Sequence, residues 1–250
     1  MDLPTVGQTT VPHGRRGPLR DNGGVPFDRL RAVRLYLVTS PRPGGRPLRE
    51  VLEPALRGGV DLFQLREKDP ADDDALLAAA QEARTLCAAA RVPFILNDRP
   101  DLVEAAGADG VHVGQDDLPV EEARAIVGAQ RIVGLSTHAP AQLACARRAE
   151  PVGAAARGAD YVVVGPVHAT PTKPGRPATG LAYVRHAVAH SPAVPWFAIG
   201  GIDATTIGAV VAAGARRVVV VRAIAQAADP EAAARTLRAA LDEEPLRGAA

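Results

Sequence analysis

Residues 35–65 read LYLVTSPRPGGRPLREVLEPALRGGVDLFQL, and this stretch decides the predicted fold. An aliphatic run, Leu35–Thr39, is followed by an amphipathic segment, Leu48–Arg57, by a Gly-Gly pair and by a second aliphatic run, Leu62–Leu65. Short runs rich in Val, Ile and Leu without strict alternation are typical of parallel strands that are covered on both faces. Glycine ends a helix because it adopts the left-handed conformation at no steric cost. The stretch therefore predicts a strand, a helix and a parallel strand.

The same unit recurs along the rest of the chain. The predicted strands are Leu35–Thr39, Leu62–Leu65, Phe94–Asn97, Gly110–Val113, Ile132–Ser136, Tyr161–Val164, Trp196–Ile199 and Val218–Val221, and the predicted helices lie near Leu48–Arg57, Ala75–Ala90, Leu102–Ala106, Val120–Val127, Ala141–Ala149, Leu181–Ala189, Ala204–Ala213 and Glu231–Leu241. Eight such units in about 210 residues fit a (β/α)8 TIM barrel. The alternative, an open doubly wound sheet, would carry a glycine-rich nucleotide turn after the first strand, and residues 40–43 (SPRP) are not one.

The predicted organisation is a single barrel domain over residues 34–243, with an N-terminal extension over residues 1–33 and a C-terminal tail over residues 244–250. The extension carries scattered Arg, Pro and Gly but lacks the apolar segment of a secretory signal. We expect it to be disordered or loosely attached. A start-site artefact and an arm that binds a partner are the alternatives.

Composition and charge exclude several classes of function. The chain has 29 Lys plus Arg against 28 Asp plus Glu, a net charge of +1, so nucleic acid is not an expected partner. No apolar run reaches the length of about eighteen residues that a membrane span needs, and two cysteines are too few for a disulfide framework. The cytoplasm is the expected location.

Lysine is rare in this chain. Lys68 and Lys173 are the only lysines, so the other 27 of the 29 basic residues are arginines. A lysine ammonium is a compact charge on a flexible stem, which a planar guanidinium does not replace everywhere. Both lysines are therefore candidates for function.

The candidate site residues follow the predicted strands, because active sites of TIM barrels lie at the carboxyl ends of the strands. After strand two, alternation directs Gln64, Arg66 and Lys68 to one side, where an amide and two cations can converge. Strand three ends in Asn97 and is followed by Asp98.

Two neighbouring strand ends carry carboxylates that can bind a divalent cation. Asp98 follows strand three, and Asp116 and Asp117 follow strand four. One oxygen from Asp98 and one from either Asp116 or Asp117 can hold Mg²⁺ while water and phosphate oxygens complete an octahedron. The alternative role for Asp117 is the N-cap of the following helix.

The later strand ends add groups that bind anions. Ser136 and His138 follow strand five, and the long loop after strand six contains residues 170–173 (TPTK), which can act as a lid. Residues 200–201 (GG) and 221–222 (VR) follow strands seven and eight, where this fold binds phosphate. The pattern predicts a metal-bound diphosphate and a second phosphate, and it contains no recognisable Ser/His/Asp triad, zinc cluster or Cys–His pair.

Taken together, these motifs resemble the thiamine-phosphate synthase family. They are QLREK at 64–68, ND at 97–98, GVHVGQDDL at 110–118, GLSTH at 134–138, GP at 165–166, TPTK at 170–173 and AIGGI at 198–202, and the resemblance runs in order from about Arg34 to Leu241. It implies a magnesium-dependent transferase of thiamine biosynthesis. Such an enzyme joins 4-amino-2-methyl-5-hydroxymethylpyrimidine diphosphate to a thiazole phosphate, or to its carboxylated tautomer, and releases diphosphate.

The resemblance also implies roles for individual residues. It assigns catalysis to Arg66, Lys68, Ser136 and Lys173, and it assigns Mg²⁺ to Asp98 and Asp117. It assigns substrate contacts to Gln64, Leu65, Arg66, Glu67, Lys68, Asn97, Ser136, Thr170, Pro171, Thr172, Lys173, Gly201, Val221 and Arg222. Many members carry serine at the last of these positions. Arg222 either contacts phosphate through its backbone or adds a guanidinium pair.

The mechanism that the resemblance implies is dissociative. Diphosphate leaves first, the pyrimidine methylene becomes a cation stabilised by its own amino group, and the thiazole nitrogen then attacks. Mg²⁺ and the nearby cations would offset the charge that grows on the leaving group.

Other readings carry different predictions. A thiazole tautomerase of the same superfamily would use His138 to carry a proton, but the intact loop at residues 170–173 and both Mg²⁺ aspartates argue against it. A non-catalytic barrel that binds a phosphate ligand would be expected to lack Lys173 or Asp98, and a lyase or isomerase would need an acid–base pair. The expected partners are the two small-molecule substrates, and a homo-oligomer is left open.

Overall fold

The computed structural model describes residues 27–68, 72–148, 158–170, 177–190 and 194–243. Eight parallel strands form a closed barrel in chain order, because β1 (Leu35–Thr39) pairs with both β2 (Leu62–Leu65) and β8 (Val218–Val220). Helices alternate with the strands and cover the outside of the barrel. The predicted (β/α)8 TIM barrel is confirmed.

The bounds of the remaining elements follow the chain order. The strands are β3 (Phe94–Asn97), β4 (Gly110–Val113), β5 (Ile132–Thr137), β6 (Tyr161–Val164) and β7 (Trp196–Ile199). The helices are α1 (Phe27–Ala32), α2 (Leu48–Arg57), α3 (Asp73–Ala90), α4 (Val120–Val127), α5 (Pro140–Arg148), α6 (Gly180–His190), α7 (Ile207–Ala212), α8 (Arg222–Ala225) and α9 (Pro230–Asp242), with 3-10 turns at Pro43–Gly45 and Pro100–Leu102.

Two predicted helices differ from the structure. The helix expected near Leu102–Ala106 is the 3-10 turn Pro100–Leu102 followed by further turns, since so short a segment does not offset the cost of helix nucleation. Helix α7 begins at Ile207 rather than near residue 204. The cause is Asp203, whose Oδ1 accepts hydrogen bonds from the backbone N–H groups of Thr205 at 2.9 Å and Thr206 at 3.1 Å and so holds a turn there.

The barrel domain was predicted to start at residue 34, and the structure differs. Helix α1 lies in the predicted extension and leads directly into β1. Leu30 is fully buried and Val33 is nearly so, both in the cluster that fills the barrel interior. Residues 27–33 therefore close the amino end of the barrel because they cover apolar side chains there. Residues 1–26 and 244–250 lie outside the described residues, so the predicted disorder of the former and the predicted C-terminal tail stay predictions.

The core has two parts, and the strand register builds the inner one. The outer part lies between strands and helices, and the inner part is enclosed by the strands. Register places His112 of β4 beside Gly134 of β5, and Gly134 beside Tyr161 of β6. A Cβ atom at position 134 would lie 2.1 Å from Cζ of Tyr161, so only glycine leaves room for this ring. The row formed by His112, Gly134 and Tyr161 lies directly under a cavity at the carboxyl end of the barrel.

Candidate active site

The candidate active site is a cavity of about 770 Å³ at the carboxyl end of the barrel. It is lined by groups that follow several different strands, so that residues far apart in sequence meet there. The predicted site residues that line it are Gln64, Arg66, Asn97, Asp98, Asp117, Ser136, Thr170, Gly201, Val221 and Arg222.

Two carboxylates face each other at the ends of β3 and β4. Asp98 adopts a φ of 58°, a left-handed conformation that Asp tolerates better than most residues, and its N–H donates to the carbonyl oxygen of His112 at 2.9 Å. Asn97 donates its side-chain amide to Asp98. The pKa of Asp98 is raised to about 6, first by burial and then by the facing Asp117, although Asn97 and Arg66 act to lower it. The two acids are therefore arranged for a cation between them.

Asp117 is not the N-cap of the following helix. Its Oδ2 accepts the backbone N–H of Gly114 at 2.8 Å, and Pro119, the residue before α4, makes no side-chain cap. A Cβ atom at position 114 would lie 2.6 Å from Oδ2 of Asp117, so glycine gives this carboxylate its room. The structure thus turns Asp117 toward Asp98 rather than toward the helix.

The two carboxylates fit a hard divalent cation whose coordination shell is completed by other ligands. In the described part of the chain no group of three or more His, Cys, Asp or Glu side chains is placed to hold a metal, so Asp98 and Asp117 would supply two oxygens. Mg²⁺ commonly binds one or two carboxylates and takes its other oxygens from water and substrate phosphates. The open cavity beside this pair leaves room for such ligands.

Some predicted site residues do not reach the cavity. Leu65 packs in the outer core between strands and helices, so its side chain points away from the cavity. Lys68 is exposed and does not line the cavity, and neither does Glu67, whose Oε1 accepts the Lys68 N–H at 3.0 Å. The expected convergence of three side chains after β2 thus holds for Gln64 and Arg66 only. Pro171, Thr172 and Lys173 lie outside the described residues, and their roles stay predictions.

The ends of β7 and β8 form the other side of the cavity. Gly201 has a φ of 60°, and a Cβ atom there would lie 2.7 Å from Cβ of His168, so the backbone can approach closely only with glycine. Arg222 begins α8, is exposed and lines the cavity. Thr170 enters from the loop after β6. A small anion can be reached there by backbone N–H groups and by one guanidinium.

A chain of buried hydrogen bonds crosses the floor of the cavity, and sequence reasoning did not predict it. Gln64 donates to the Tyr36 hydroxyl, which lies 2.9 Å from the Tyr161 hydroxyl. The two ring nitrogens of His112 lie 3.0 Å from the Tyr161 hydroxyl and 2.9 Å from Ser136 Oγ. Burial raises the pKa of both tyrosines well above its usual value, so both hydroxyls keep their protons. Polar aromatic residues inside predicted strands were the available signal.

His138, the proton carrier of the tautomerase reading, lies at the edge of the cavity. Its Nδ1 donates to the carbonyl oxygen of Gly165 at 2.6 Å, and its backbone N–H donates to the side chain of Gln142 at 2.6 Å. These contacts hold the ring against the loop that follows β6.

None of the described helices is long and apolar enough to cross a membrane.

Comparison with known proteins agrees with this geometry. The family model described as thiamine monophosphate synthase matches residues 35–224. The chain is 50% identical over 225 residues to a thiamine-phosphate synthase of Mycolicibacterium smegmatis, which covers 87% of this chain and 96% of that protein. It is 52% identical over 207 residues to a thiamine-phosphate synthase of Thermus thermophilus, covering 82% of this chain and 95% of that one.

A solved structure supports the same assignment. The thiamine phosphate pyrophosphorylase of Pyrococcus furiosus superposes with a TM-score of 0.74 at 29% identity, covering 86% of this chain and 98% of that one. The family match spans all eight strands of the barrel and the residues that line its cavity, except Ala225 and Gln226. The chain belongs to the thiamine-phosphate synthase family, transferases of thiamine biosynthesis.

Proposed function

We propose that this chain joins 4-amino-2-methyl-5-hydroxymethylpyrimidine diphosphate to thiazole phosphate, and that the cavity at the carboxyl end of the barrel holds both substrates side by side. The observation that carries the proposal is the facing pair Asp98 and Asp117, with Arg66 and Ser136 lining the same cavity. Two carboxylates and a guanidinium together suit a diphosphate that arrives with a divalent cation.

The diphosphate half of the site is built around the metal-binding pair. The family uses a metal ion, and we infer that Mg²⁺ is the ion and that Asp98 and Asp117 hold it. When bound, Mg²⁺ would neutralise charge on the diphosphate. Arg66 pairs with phosphate oxygens, and Gln64 and Asn97 position the pyrimidine beside them. Lys68 is proposed to reach the diphosphate on its flexible stem, and Lys173 is proposed to contribute a second ammonium group.

The thiazole half lies across the cavity. The backbone at Gly201 and Val221, with Thr170 and Arg222, is proposed to bind the thiazole phosphate. Residues 171–172 are proposed to complete this contact. The thiazole nitrogen would then face the pyrimidine methylene carbon.

The bond changes balance within the two substrates. The bond breaks between the methylene carbon and the ester oxygen that links it to the diphosphate, and that oxygen keeps the electron pair. The thiazole nitrogen donates its lone pair to the methylene carbon, which gives thiamine phosphate and free diphosphate; a carboxylated thiazole also loses CO₂. Arg66, Ser136 and the two lysines act by stabilising the departing charge, so no acid–base pair is needed.

The test is direct. The purified chain is mixed with the pyrimidine diphosphate, thiazole phosphate and Mg²⁺, and thiamine phosphate is measured. Lys173→Ala is expected to reduce turnover at least about tenfold, because a transition-state cation is lost. Folded protein that forms no thiamine phosphate from either thiazole tautomer would contradict the proposal. The cytoplasmic location and the oligomeric state stay predictions.

A further inference from the structure

We propose that the hydrogen-bond chain on the cavity floor sets Ser136 as a hydrogen-bond donor toward the leaving diphosphate. The chain, here called the relay, consists of Gln64, Tyr36, Tyr161, His112 and Ser136. Tyr36, Tyr161 and His112 are positioning residues in this proposal; Tyr36 and His112 also line the cavity, whereas Tyr161 does not, so Tyr161 provides the cleanest test of action through Ser136. The inference rests on the proposed function only for the identity of the acceptor.

Gln64 fixes the direction of the relay. Its side-chain nitrogen can only donate, so the Tyr36 hydroxyl accepts from it and directs its own proton to the Tyr161 hydroxyl, 2.9 Å away. Tyr161 accepts that bond and donates to Nδ1 of His112 at 3.0 Å. The reverse order, in which Tyr161 donates to Tyr36, would leave the proton of the buried Tyr36 hydroxyl without either of these partners as its acceptor, so the satisfied network runs from Gln64 toward His112.

The order of donors assigns the tautomer of His112. Because Nδ1 accepts, the proton of the neutral ring lies on Nε2, which donates to Ser136 Oγ at 2.9 Å. Ser136 then accepts from the histidine and keeps its own hydroxyl proton for a ligand in the cavity. With the opposite tautomer, Ser136 would donate to the histidine and present only lone pairs to the ligand.

The packing leaves the relay little freedom to rearrange. Tyr36 and Tyr161 are fully buried, and Gln64, His112 and Ser136 are each less than a tenth exposed. The rings of His112 and Tyr161 stack with centroids 5.5 Å apart, and Phe197 meets both tyrosine rings edge to face. Buried polar networks of this kind hold one arrangement because breaking any bond leaves an unpaired group.

A donor at Ser136 suits the reaction. The oxygens of the diphosphate gain negative charge as the bond to carbon breaks, so a preorganised donor binds the transition state more strongly than the substrate. Hydroxyl donors are common at such positions, but a serine hydroxyl rotates freely unless a neighbour orders it. The relay supplies that neighbour.

The first test reads the tautomer in the wild-type protein. Nitrogen-15 NMR of histidine-labelled protein at pH 8, with the His112 signals identified by their loss in His112→Gln, is expected to show the proton on Nε2. Tyr161→Phe is expected to move the two nitrogen shifts toward each other, since Nδ1 loses its donor. Tyr183→Phe is the matched control, because the Tyr183 hydroxyl bonds to Thr137 at 2.9 Å and lies outside the relay. A proton on Nδ1 in the wild type would overturn the proposal.

The second test separates positioning from structural support. Ser136→Ala is expected to lower kcat about 100-fold and Tyr161→Phe about tenfold. Because Tyr161 acts through Ser136, adding Tyr161→Phe to Ser136→Ala is expected to cost less than about twofold more. A purely structural role for Tyr161 would give the same tenfold loss in both backgrounds, and that result would overturn the relay.

Two further readouts keep the failures distinguishable. Tyr36→Phe removes an earlier member of the relay and is expected to act in the same direction as Tyr161→Phe, so the test survives if one variant does not fold. A wild-type protein that forms no thiamine phosphate would contradict the proposed function, while the NMR result would still decide whether the relay has this direction.

Discussion

The aspartates at the two ends of this barrel have opposite surroundings. At the amino end, Asp61, Asp109 and Asp160 each precede an even-numbered strand and accept, at 2.8–2.9 Å, the backbone N–H of the first or second residue of its odd-numbered neighbour. At the carboxyl end, Asp98 and Asp117 face each other. The same residue type therefore closes the sheet at one end and collects negative charge at the other.

The pKa values of one aspartate from each end show the same contrast. Burial is the largest cause that raises the pKa of both Asp61 and Asp98, and each pKa comes to about 6 when all contacts act together. At Asp61 every other contact lowers the pKa, because Arg238 and two backbone N–H groups stabilise the charged form. At Asp98 a second carboxylate raises it further. At the amino end, groups of the chain itself stabilise the negative charge of Asp61. At the carboxyl end, the aspartates are arranged for a ligand that brings positive charge.

The largest expected effect is on stability at the amino end. Asp160→Ala removes the partner of Arg124, whose side chain is only 5% exposed, and the acceptor of the Val133 N–H. We expect the free energy of unfolding to fall by about 4 kcal/mol, as when one member of a buried ion pair is removed. Urea unfolding measures the loss. Asp160→Asn, which keeps an acceptor oxygen, should lose less, and equal losses would contradict the assignment.

At the carboxyl end the expected effect is on turnover. Asp98→Asn and Asp117→Asn should each lower kcat/KM for the pyrimidine diphosphate at saturating thiazole phosphate about 100-fold, since metal-dependent stabilisation of the leaving group is lost. Asp116→Asn is the matched control, because Asp116 is exposed and does not line the cavity. Equal loss in the control variant would break the comparison between the two ends.

Asp117→Asn should also stabilise the metal-free fold. The raised pKa of Asp98 means that its contribution to stability is present at low pH and is lost as pH rises through about 6. Asp117→Asn removes the facing charge, so at pH 8 without Mg²⁺ the free energy of unfolding should rise by about 1 kcal/mol, and the gain should shrink toward pH 5. Thermal unfolding across this range measures it. A loss of stability at pH 8 would show that the pair supports the fold.

The smallest expected effect concerns Arg222, an exposed cation at the carboxyl end. If its guanidinium contacts the thiazole phosphate, Arg222→Ser should raise KM for that substrate about threefold with little change in kcat, because exposed ion pairs contribute about 0.2–1 kcal/mol. Steady-state kinetics at low salt measures the shift. An unchanged KM would assign the contact to the backbone.

Much of the fold could be predicted because each strand is a short aliphatic run that reads clearly in isolation. Six of the eight predicted strands have the observed bounds, and the other two differ by one residue at the end, since β5 ends at Thr137 instead of Ser136 and β8 at Val220 instead of Val221. Asp98 and Asp117 were predictable too, since position after a strand places a residue at the carboxyl end.

The relay and the position of Lys68 could not be predicted in the same way. Tyr36 and Tyr161 are 125 residues apart, and their contact depends on strand register and on the space that Gly134 leaves. Alternation was extended to Lys68, three residues beyond the end of β2, where the chain is no longer a strand and side-chain direction is not set by the pleat. Helix α1 was missed because it is only six residues long, and of its described side chains Leu30 is the one that packs into the interior cluster.

Leu30 also determines the route by which ligands reach the cavity. With the amino end of the interior filled by Leu30 and the aromatic cluster, ligands enter and leave this cavity from the side of the strand ends. Both substrates and both products of the proposed reaction then pass through the same opening of the cavity. A ligand that lies against the relay is therefore reached from the carboxyl end of the barrel, because packed side chains close the other end.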